Sequence, residues 1–155
     1  MTTTATAKTT ARGLPMQLGH IALRVRDLDA AVTFYRDVVG LPLRSRRGDQ
    51  AAFLGIRPDA SHEVALFALG PSAPGPEAGR VGMYHMAWEM ASFEDLEVFH
   101  ARLLAAGANI TGYSDRQCNV MFTDPDGNEN EALWEPSAEE HKRLEASGGL
   151  PRLRR

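Results

Sequence analysis

The sequence predicts an α+β fold made of two similar halves. Two alternating strand patterns with a central histidine, LGHIALRV from Leu18 and MYHMAWEM from Met83, stand about 65 residues apart. Each pattern is followed by one amphipathic helix and three short strand-like runs. Both halves therefore have the order β-α-β-β-β, in which helices cover one face of each mixed sheet.

The helix of the first half has clear start and stop signals. Asp27 can cap its N-terminus, apolar positions from Leu28 to Val38 fall on one stripe, and Gly40 can end it. Strand-like runs bounded by turn residues follow at residues 41–46, 51–54 and 63–69.

The second half repeats this order. Ser92 can cap a helix, Asp95 stands three residues past the cap, and Gly107 can terminate it. Three strand-like runs follow at residues 109–111, 119–123 and 129–134. The helices of the two halves thus match in their order along the chain.

The chain length allows one domain, with one buried core. We assign residues 16–136 to this domain, with modules at about 16–70 and 80–136. The segment GPSAPGPEAG, residues 70–79, contains three prolines and three glycines and is interpreted as the linker. Residues 1–15 are predicted to be a disordered extension, and residues 137–155 a C-terminal helix and a basic tail.

Composition excludes several classes of function. The chain has 17 Lys and Arg against 20 Asp and Glu, a formal charge of -3, which argues against nucleic acid as a partner. A single cysteine, Cys118, cannot form an internal disulfide, and no apolar run suits a signal peptide or membrane span. We therefore expect no membrane association and a cytoplasmic location.

Three side chains could converge on a metal. Side chains alternate along a strand, so His20 shares the polar face of the first strand with Arg24, and His85 has the same place in the second half. Glu131 follows the tight turn DPDGN and lies on the last strand. Two imidazoles and one carboxylate leave coordination positions open, which suits one reacting divalent cation. We expect iron(II), with manganese, zinc, cobalt or nickel as alternatives.

The strings LGHIALRVRDLDAAVTFYRDVVGL, YHMAWEM and FTDPDGNENEAL together resemble the vicinal oxygen chelate superfamily, which includes glyoxalases, bleomycin resistance proteins and extradiol dioxygenases. The resemblance implies that the two modules form an open β-cup with helices outside. It also implies metal ligands at His20, His85 and Glu131, and assembly as a homodimer.

Within the superfamily, the chain is most similar to the small extradiol ring-cleaving dioxygenases. The segment SHEVALF, residues 61–67, resembles their His-Asp-x-Ala-Phe strand, which implies an acid-base role for His62 beside bound oxygen. Strand parity places Leu66 on the same inward face as His62. Glyoxalase I members have a fourth, carboxylate ligand around this position, so an apolar residue there counts against glyoxalase chemistry.

The chain departs from the dioxygenase pattern next to the predicted site. Met121 occupies the position of a tyrosine that donates a hydrogen bond to the substrate oxygens in those enzymes. Those enzymes also have a further histidine close to the site, expected here near residues 112–116, and this sequence has none there. Arg24 and Asn119 share faces with the predicted ligands. We therefore take Arg24, Asn119 and Met121 as candidate substrate-binding residues.

The first hypothesis is a metal-dependent extradiol-type dioxygenase that cleaves a catechol or related vicinal diol with O2. The second is a glyoxalase-like or epimerase-like isomerase or lyase, for which Glu89 and Glu129 are poor candidate bases. The third is a non-enzymatic protein that sequesters a small aromatic molecule or antibiotic. Among the remaining reactive side chains, we expect Cys118 to be a buried inert thiol, and His100 and His141 to be structural or solvated.

Overall fold

Two four-stranded mixed sheets, one from each half of the chain, form the framework. The computed structural model describes Gly13, Pro15 and residues 17–114 and 118–154. Most of the predicted extension, residues 1–12 and 14, therefore lies outside the described residues. In the described ranges, every helix is too short or too polar to cross a lipid bilayer.

The first sheet contains four strands: β1 (Ile21–Val25), β2 (Leu43–Arg47), β3 (Ala51–Leu54) and β4 (Val64–Ala68). Their order across the sheet is β1-β4-β3-β2. The β1 strand runs parallel to β4, whereas the other neighbouring strands are antiparallel. The first and last strands of the module are thus adjacent.

The second sheet has the same topology. It contains β5 (Met86–Glu89), β6 (Asn109–Ser114), β7 (Cys118–Thr123) and β8 (Glu129–Trp134) in the order β5-β8-β7-β6. Here β5 is parallel to β8, and the remaining pairs are antiparallel. This equivalence confirms the predicted α+β fold of two β-α-β-β-β modules.

The helix of the first module differs from the regular helix that its sequence predicts. The α1 helix (Leu28–Thr33) begins at Asp27, whose side chain accepts the backbone N–H of Ala30 at 3.0 Å. It continues as a π-helical turn, Phe34–Val39, and ends at Gly40, where φ is 96°. The Gly40 N–H donates to the carbonyl five residues back, so the wider turn brings its last apolar residue onto the buried stripe.

The other two helices begin at serine caps. The α2 helix (Phe93–Ala105) starts at Ser92, whose hydroxyl accepts the N–H of Asp95, and α3 (Ala138–Ala146) starts at Ser137. Between β4 and β5, residues 70–79 contain neither helix nor strand, which agrees with the linker prediction.

Aromatic and polar contacts join the two modules into one core. Phe34 packs against Phe122 with ring centroids 6.2 Å apart, and Phe122 also packs against Phe99 at 5.7 Å. The buried Tyr35 hydroxyl donates to the Asp124 carboxylate at 2.9 Å. The helical side of the first module is therefore fixed against the β7–β8 turn of the second.

Each sheet has one face against the helices and one face free of them, and we call the helix-free face the cup face. On β1, Leu23 and Val25 are buried in the core, whereas Ala22 and Arg24 are exposed on the cup face. This alternation agrees with the prediction for β1 and puts Arg24 on the polar face.

The predicted parity of β4 was wrong. Leu66 is fully buried in the core with Val64, and the cup-face residue that pairs with Ala22 is Ala65. The strand begins only at Val64, so His62 lies in the preceding loop and does not follow the strand alternation. An apolar residue still faces the cup, but it is Ala65 rather than Leu66.

Candidate metal centre

The two predicted histidine ligands occupy equivalent places in the two modules. His20 immediately precedes β1, and His85 immediately precedes β5. Both line one cavity of about 360 Å³, together with Ile21, Met86 and other residues of the two edge strands. The repeat found in the sequence therefore becomes a pair of histidines that border a common space.

Strand pairing brings Glu131 to His85. Parallel β5 and β8 pair Ala87 with Glu131, and the Glu131 Oε2 atom lies 3.2 Å from His85 Nε2. Two ligand atoms at about 2.1 Å from one metal, and roughly 90–110° apart, are separated by about 3.0–3.4 Å. The observed separation is that of an ion pair between the imidazole and the carboxylate, and it also fits two neighbouring ligands of one metal.

The buried Asn119 side chain fixes the Glu131 carboxylate. Its Nδ2 donates to Glu131 Oε1 at 2.5 Å, and its Oδ1 accepts the Ser114 N–H at 2.8 Å. One carboxylate oxygen is thereby held, and the other faces His85. Both ends of the amide are engaged in protein hydrogen bonds, so in this structure Asn119 orients a predicted ligand instead of presenting its amide to substrate.

The other imidazole nitrogen of His85, Nδ1, is buried and has no hydrogen-bond partner among the described residues. A buried polar atom without a partner costs about 1–3 kcal/mol. The Tyr84 ring packs edge-on against the imidazole with centroids 5.0 Å apart. Packing and the Glu131 carboxylate therefore hold the ring, and none of the described residues donates a hydrogen bond to either nitrogen.

His20 lies across the cavity and contacts a different partner. Its side chain is exposed, and its ring centroid is 4.6 Å from that of His62. Within the described residues, no three His, Cys, Asp or Glu side chains stand close enough together to hold a metal ion. The structure thus joins His85 with Glu131, and the role of His20 as third ligand stays a prediction.

His62 is held in the loop before β4. Its Nδ1 atom lies 2.9 Å from Ser61 Oγ, and Phe53 packs edge-on against its ring at 5.0 Å. These contacts place an imidazole directly beside the predicted ligand His20. The acid-base role of His62 is compatible with this position and stays a prediction.

Sequence reasoning missed an ion pair that supports His20. Glu63 accepts the Arg57 Nε–H at 2.5 Å and the Ile56 N–H at 2.7 Å, and Arg57 also donates to the Gly19 carbonyl at 3.1 Å. Burial tends to raise the pKa of Glu63, but the hydrogen bonds from Arg57 and the backbone outweigh it, so the pKa lies below its usual value. This pair fixes the backbone next to His20.

Gly55 makes that ion pair possible. A Cβ atom at this buried position would lie within 2.2 Å of the Glu63 carboxylate. Alternation along β4 could have placed Glu63 on the cup face, because Glu63 continues the series of Ala65 and Phe67.

The other residues singled out in the sequence, Met121 excepted, lie apart from the pair of His85 and Glu131. Arg24 is exposed on the cup face, and the half-buried Met121 pairs with Glu131 across β7 and β8, where it supplies no hydroxyl. Cys118 is buried, as predicted; its thiol donates to the Pro151 carbonyl at 3.3 Å, and burial raises its pKa, while its inertness stays a prediction. Burial lowers the pKa of His100, which contacts the Tyr113 hydroxyl at 2.8 Å. His141 contacts Glu145 in α3.

Comparison with known proteins agrees with this fold. A manganese-dependent 2,3-dihydroxybiphenyl 1,2-dioxygenase of Geobacillus genomosp. 3 is 34% identical over 94 residues, 61% of this chain and 27% of that protein. A catechol-2,3-dioxygenase of Bacillus subtilis (strain 168) is 29% identical over 114 residues, 72% of this chain and 39% of that protein. The chain therefore spans well under half the length of these relatives.

One solved structure is similar to this chain over nearly all of its own length. The glyoxylase/bleomycin resistance protein/dioxygenase domain from Frankia sp. EAN1pec superposes with a TM-score of 0.64 at 27% identity, over 77% of this chain and 98% of that one. The family model described as Glyoxalase/Bleomycin resistance protein/Dioxygenase superfamily matches residues 17–132. The chain belongs to this superfamily.

Proposed function

We propose that the chain is a metal-dependent extradiol-type dioxygenase that cleaves a catechol or related vicinal diol with O2. The observation that carries this proposal is the 3.2 Å approach of Glu131 Oε2 to His85 Nε2, beside a cavity that His20 also lines. The names of the two similar dioxygenases, both acting on aromatic diols, support the reaction class.

His20, His85 and Glu131 would hold one divalent cation, and these donors suit iron(II), manganese, zinc, cobalt or nickel. We propose iron(II), with manganese as the first alternative because one relative is described as manganese-dependent. His20 precedes β1 and is exposed, so its ring can rotate towards His85 without disturbing the core. When bound, the cation would lower the pKa of a diol hydroxyl and hold the diol in register.

The side chains around the cavity would supply the proton transfer. Ser61 contacts His62 Nδ1, which leaves Nε2 to accept a proton from the diol and to return it as the ring opens. Met121 would contribute apolar contact to the aromatic ring beside Glu131. The Asn119 amide would keep the carboxylate from turning away when the substrate enters.

We also propose that the protein is a homodimer. Large apolar side chains at Leu18, Val81, Met83 and Tyr84 are exposed, and two of them line the cavity. A second copy that covers these residues would remove an apolar patch from water at the edge of the site. Sedimentation velocity should then show a species of twice the chain mass, and a monomer at micromolar concentration would contradict the dimer.

Oxygen uptake tests the proposed reaction. Protein loaded anaerobically with iron(II) or manganese(II) should consume one O2 per diol with a panel of catechols and form a yellow ring-cleavage product. His62→Gln should lower kcat by about 100-fold or more without loss of bound metal, because it removes only the acid-base group. His141→Gln is the matched control and should leave the rate unchanged, because His141 contacts Glu145 in α3 and does not line the cavity of His20 and His85.

The alternative functions give different results in the same experiment. A glyoxalase-like or epimerase-like enzyme would bind zinc or nickel and consume no O2. A binding protein would hold an aromatic molecule tightly without turnover. Metal-loaded protein that consumes no O2 with any catechol would therefore refute the dioxygenase proposal.

A further inference from the structure

A lateral row of four residues crosses the cup face of the first sheet. Arg24 on β1 pairs with Phe67 on β4, Phe67 pairs with Ala51 on β3, and Ala51 pairs with Arg47 on β2. Adjacent strands lie about 4.8 Å apart, so the two arginines flank the row at a Cα separation of roughly 14 Å. We call this set the arginine row.

The two arginines of this row have no acidic partner. Within the described ranges, neither Arg24 nor Arg47 lies within ion-pair distance of a carboxylate. Two arginines nearby in the sequence do have acidic partners: Arg26 pairs with Asp126, and Arg46 pairs with Asp29. The cup face of this sheet therefore carries two guanidinium groups whose charge the fold does not neutralise.

Aromatic rings connect the arginine row to the candidate metal centre. Phe67, which is 41% exposed, contacts Phe53 edge-on at 6.2 Å, and Phe53 contacts His62 at 5.0 Å. His62 in turn lies 4.6 Å from His20. The Arg47 guanidinium stands over the Phe53 ring at 5.4 Å. An apolar path therefore leads from the predicted ligands to two free cations.

We infer that the substrates of this site are aromatic diols that carry an anionic substituent on the side of the ring away from the diol. This inference rests on the proposed function. The diol would lie at the predicted ligands, the ring and its side chain would run along Phe53 and Phe67, and the anion would meet Arg24. Arg24 on β1 is four residues after His20, which immediately precedes that strand, so their Cα atoms are about 13 Å apart. That span fits a diol, a ring and a short acidic chain.

Arginine recognises carboxylates and phosphates through paired N–H donors, so the shared chemistry is an oxyanion. Arg47 would add to the positive potential and keep its stack on Phe53. Glu63, a carboxylate that lines the same cavity as His20, is already paired with Arg57.

A matched pair of probes tests the inference by anaerobic calorimetry on manganese-loaded protein. The probes are 3-(3,4-dihydroxyphenyl)propanoic acid and its methyl ester, which differ only in charge at the chain end. The acid should bind at least about fivefold more tightly than the ester, as expected for a partly exposed charge-assisted pair. Added salt should reduce this preference. The phosphonic acid of the same length distinguishes a carboxylate site from a phosphate or phosphonate site.

Variants locate the effect. Arg24→Gln should bring the acid-to-ester ratio close to one, and Arg24→Lys should restore part of it. Arg46→Gln, one residue from Arg47 and paired with Asp29 on the other face, is the matched control and should keep the full preference. Circular dichroism of each variant checks that it is folded.

The outcomes separate this inference from the proposed reaction. Equal binding of acid and ester, no binding of either, or an unchanged preference in Arg24→Gln overturns the inference. A preference for the acid without O2 uptake refutes the dioxygenase but keeps the anionic ligand class. O2 uptake with unsubstituted catechol and no preference for the acid keeps the dioxygenase and refutes the inference.

Discussion

Removal of the Tyr35 hydroxyl should destabilise the protein because this group joins the two modules. Tyr35 is fully buried, and its hydroxyl donates to Asp124 Oδ2 at 2.9 Å in the turn that leads into β8. Burial and the Asp124 carboxylate both raise the pKa of Tyr35, so the phenol stays protonated and donates at every accessible pH. Tyr35→Phe removes one oxygen and leaves the packing of the ring intact.

The size of the effect follows from what remains around Asp124. The carboxylate keeps hydrogen bonds from the backbone N–H groups of Asp126 and Asn128 and from the Asn128 side chain. A hydrogen bond to a charged group contributes about 1.5–3 kcal/mol. Because three donors remain, we expect the lower part of that range, about 1.5–2 kcal/mol, and a fall in Tm of roughly 3–8 °C for a chain of this size.

Urea and thermal unfolding followed by circular dichroism measure this loss. Tyr84→Phe is the matched control, because Tyr84 is 79% exposed and its hydroxyl makes no hydrogen bond with any described residue. Its free energy of unfolding should stay within about 0.5 kcal/mol of the parent value. If Tyr35→Phe is equally neutral, or if Tyr84→Phe is equally damaging, then the inter-module hydrogen bond does not carry the stability assigned to it.

Three further predictions concern single side chains. Asn119→Leu should weaken manganese binding by about 10–100-fold in a chelator competition, because the Glu131 carboxylate loses the donor that orients it; unchanged affinity would show that the amide is not needed. Burial lowers the pKa of His100, so the unfolded chain binds the proton more readily and stability should fall as pH drops below about 6.5. His100→Gln should flatten that part of the curve of unfolding free energy against pH, and a retained slope would assign it to other groups. Cys118 should react with iodoacetamide at least about tenfold more slowly in the native state than in urea, because its thiol is buried and its pKa is raised; equal rates would contradict this.

The overall fold was accessible from the sequence because its signals are local. Alternation of apolar residues located the strands, and capping residues such as Asp27 and Ser92 located the helix starts. The repeat of one pattern in both halves then predicted two equivalent sheets, which the structure confirms. The π-helical turn escaped prediction because apolar periodicity locates a helix but does not show whether its hydrogen bonds span four or five residues.

The site was only partly predictable, because side chains meet there through long-range pairing. Glu131 could be placed next to His85 once β5 and β8 were taken as neighbours, but nothing local indicated that Asn119 would hold its second oxygen. The inward assignment of Leu66 failed because it was counted from His62, which lies in the loop before β4 and does not follow the alternation of the strand.

Manganese binding, measured by electron paramagnetic resonance, tests the central claim most directly, because free and bound Mn(II) give distinct signals. We expect one tight site per chain. Glu131→Gln, His85→Ala and His20→Ala should each weaken it by more than about 100-fold, a larger loss than removal of a supporting residue causes, while His141→Gln binds as the parent does. Binding that is absent in the parent chain, or that survives the loss of Glu131 and His85, would contradict the account.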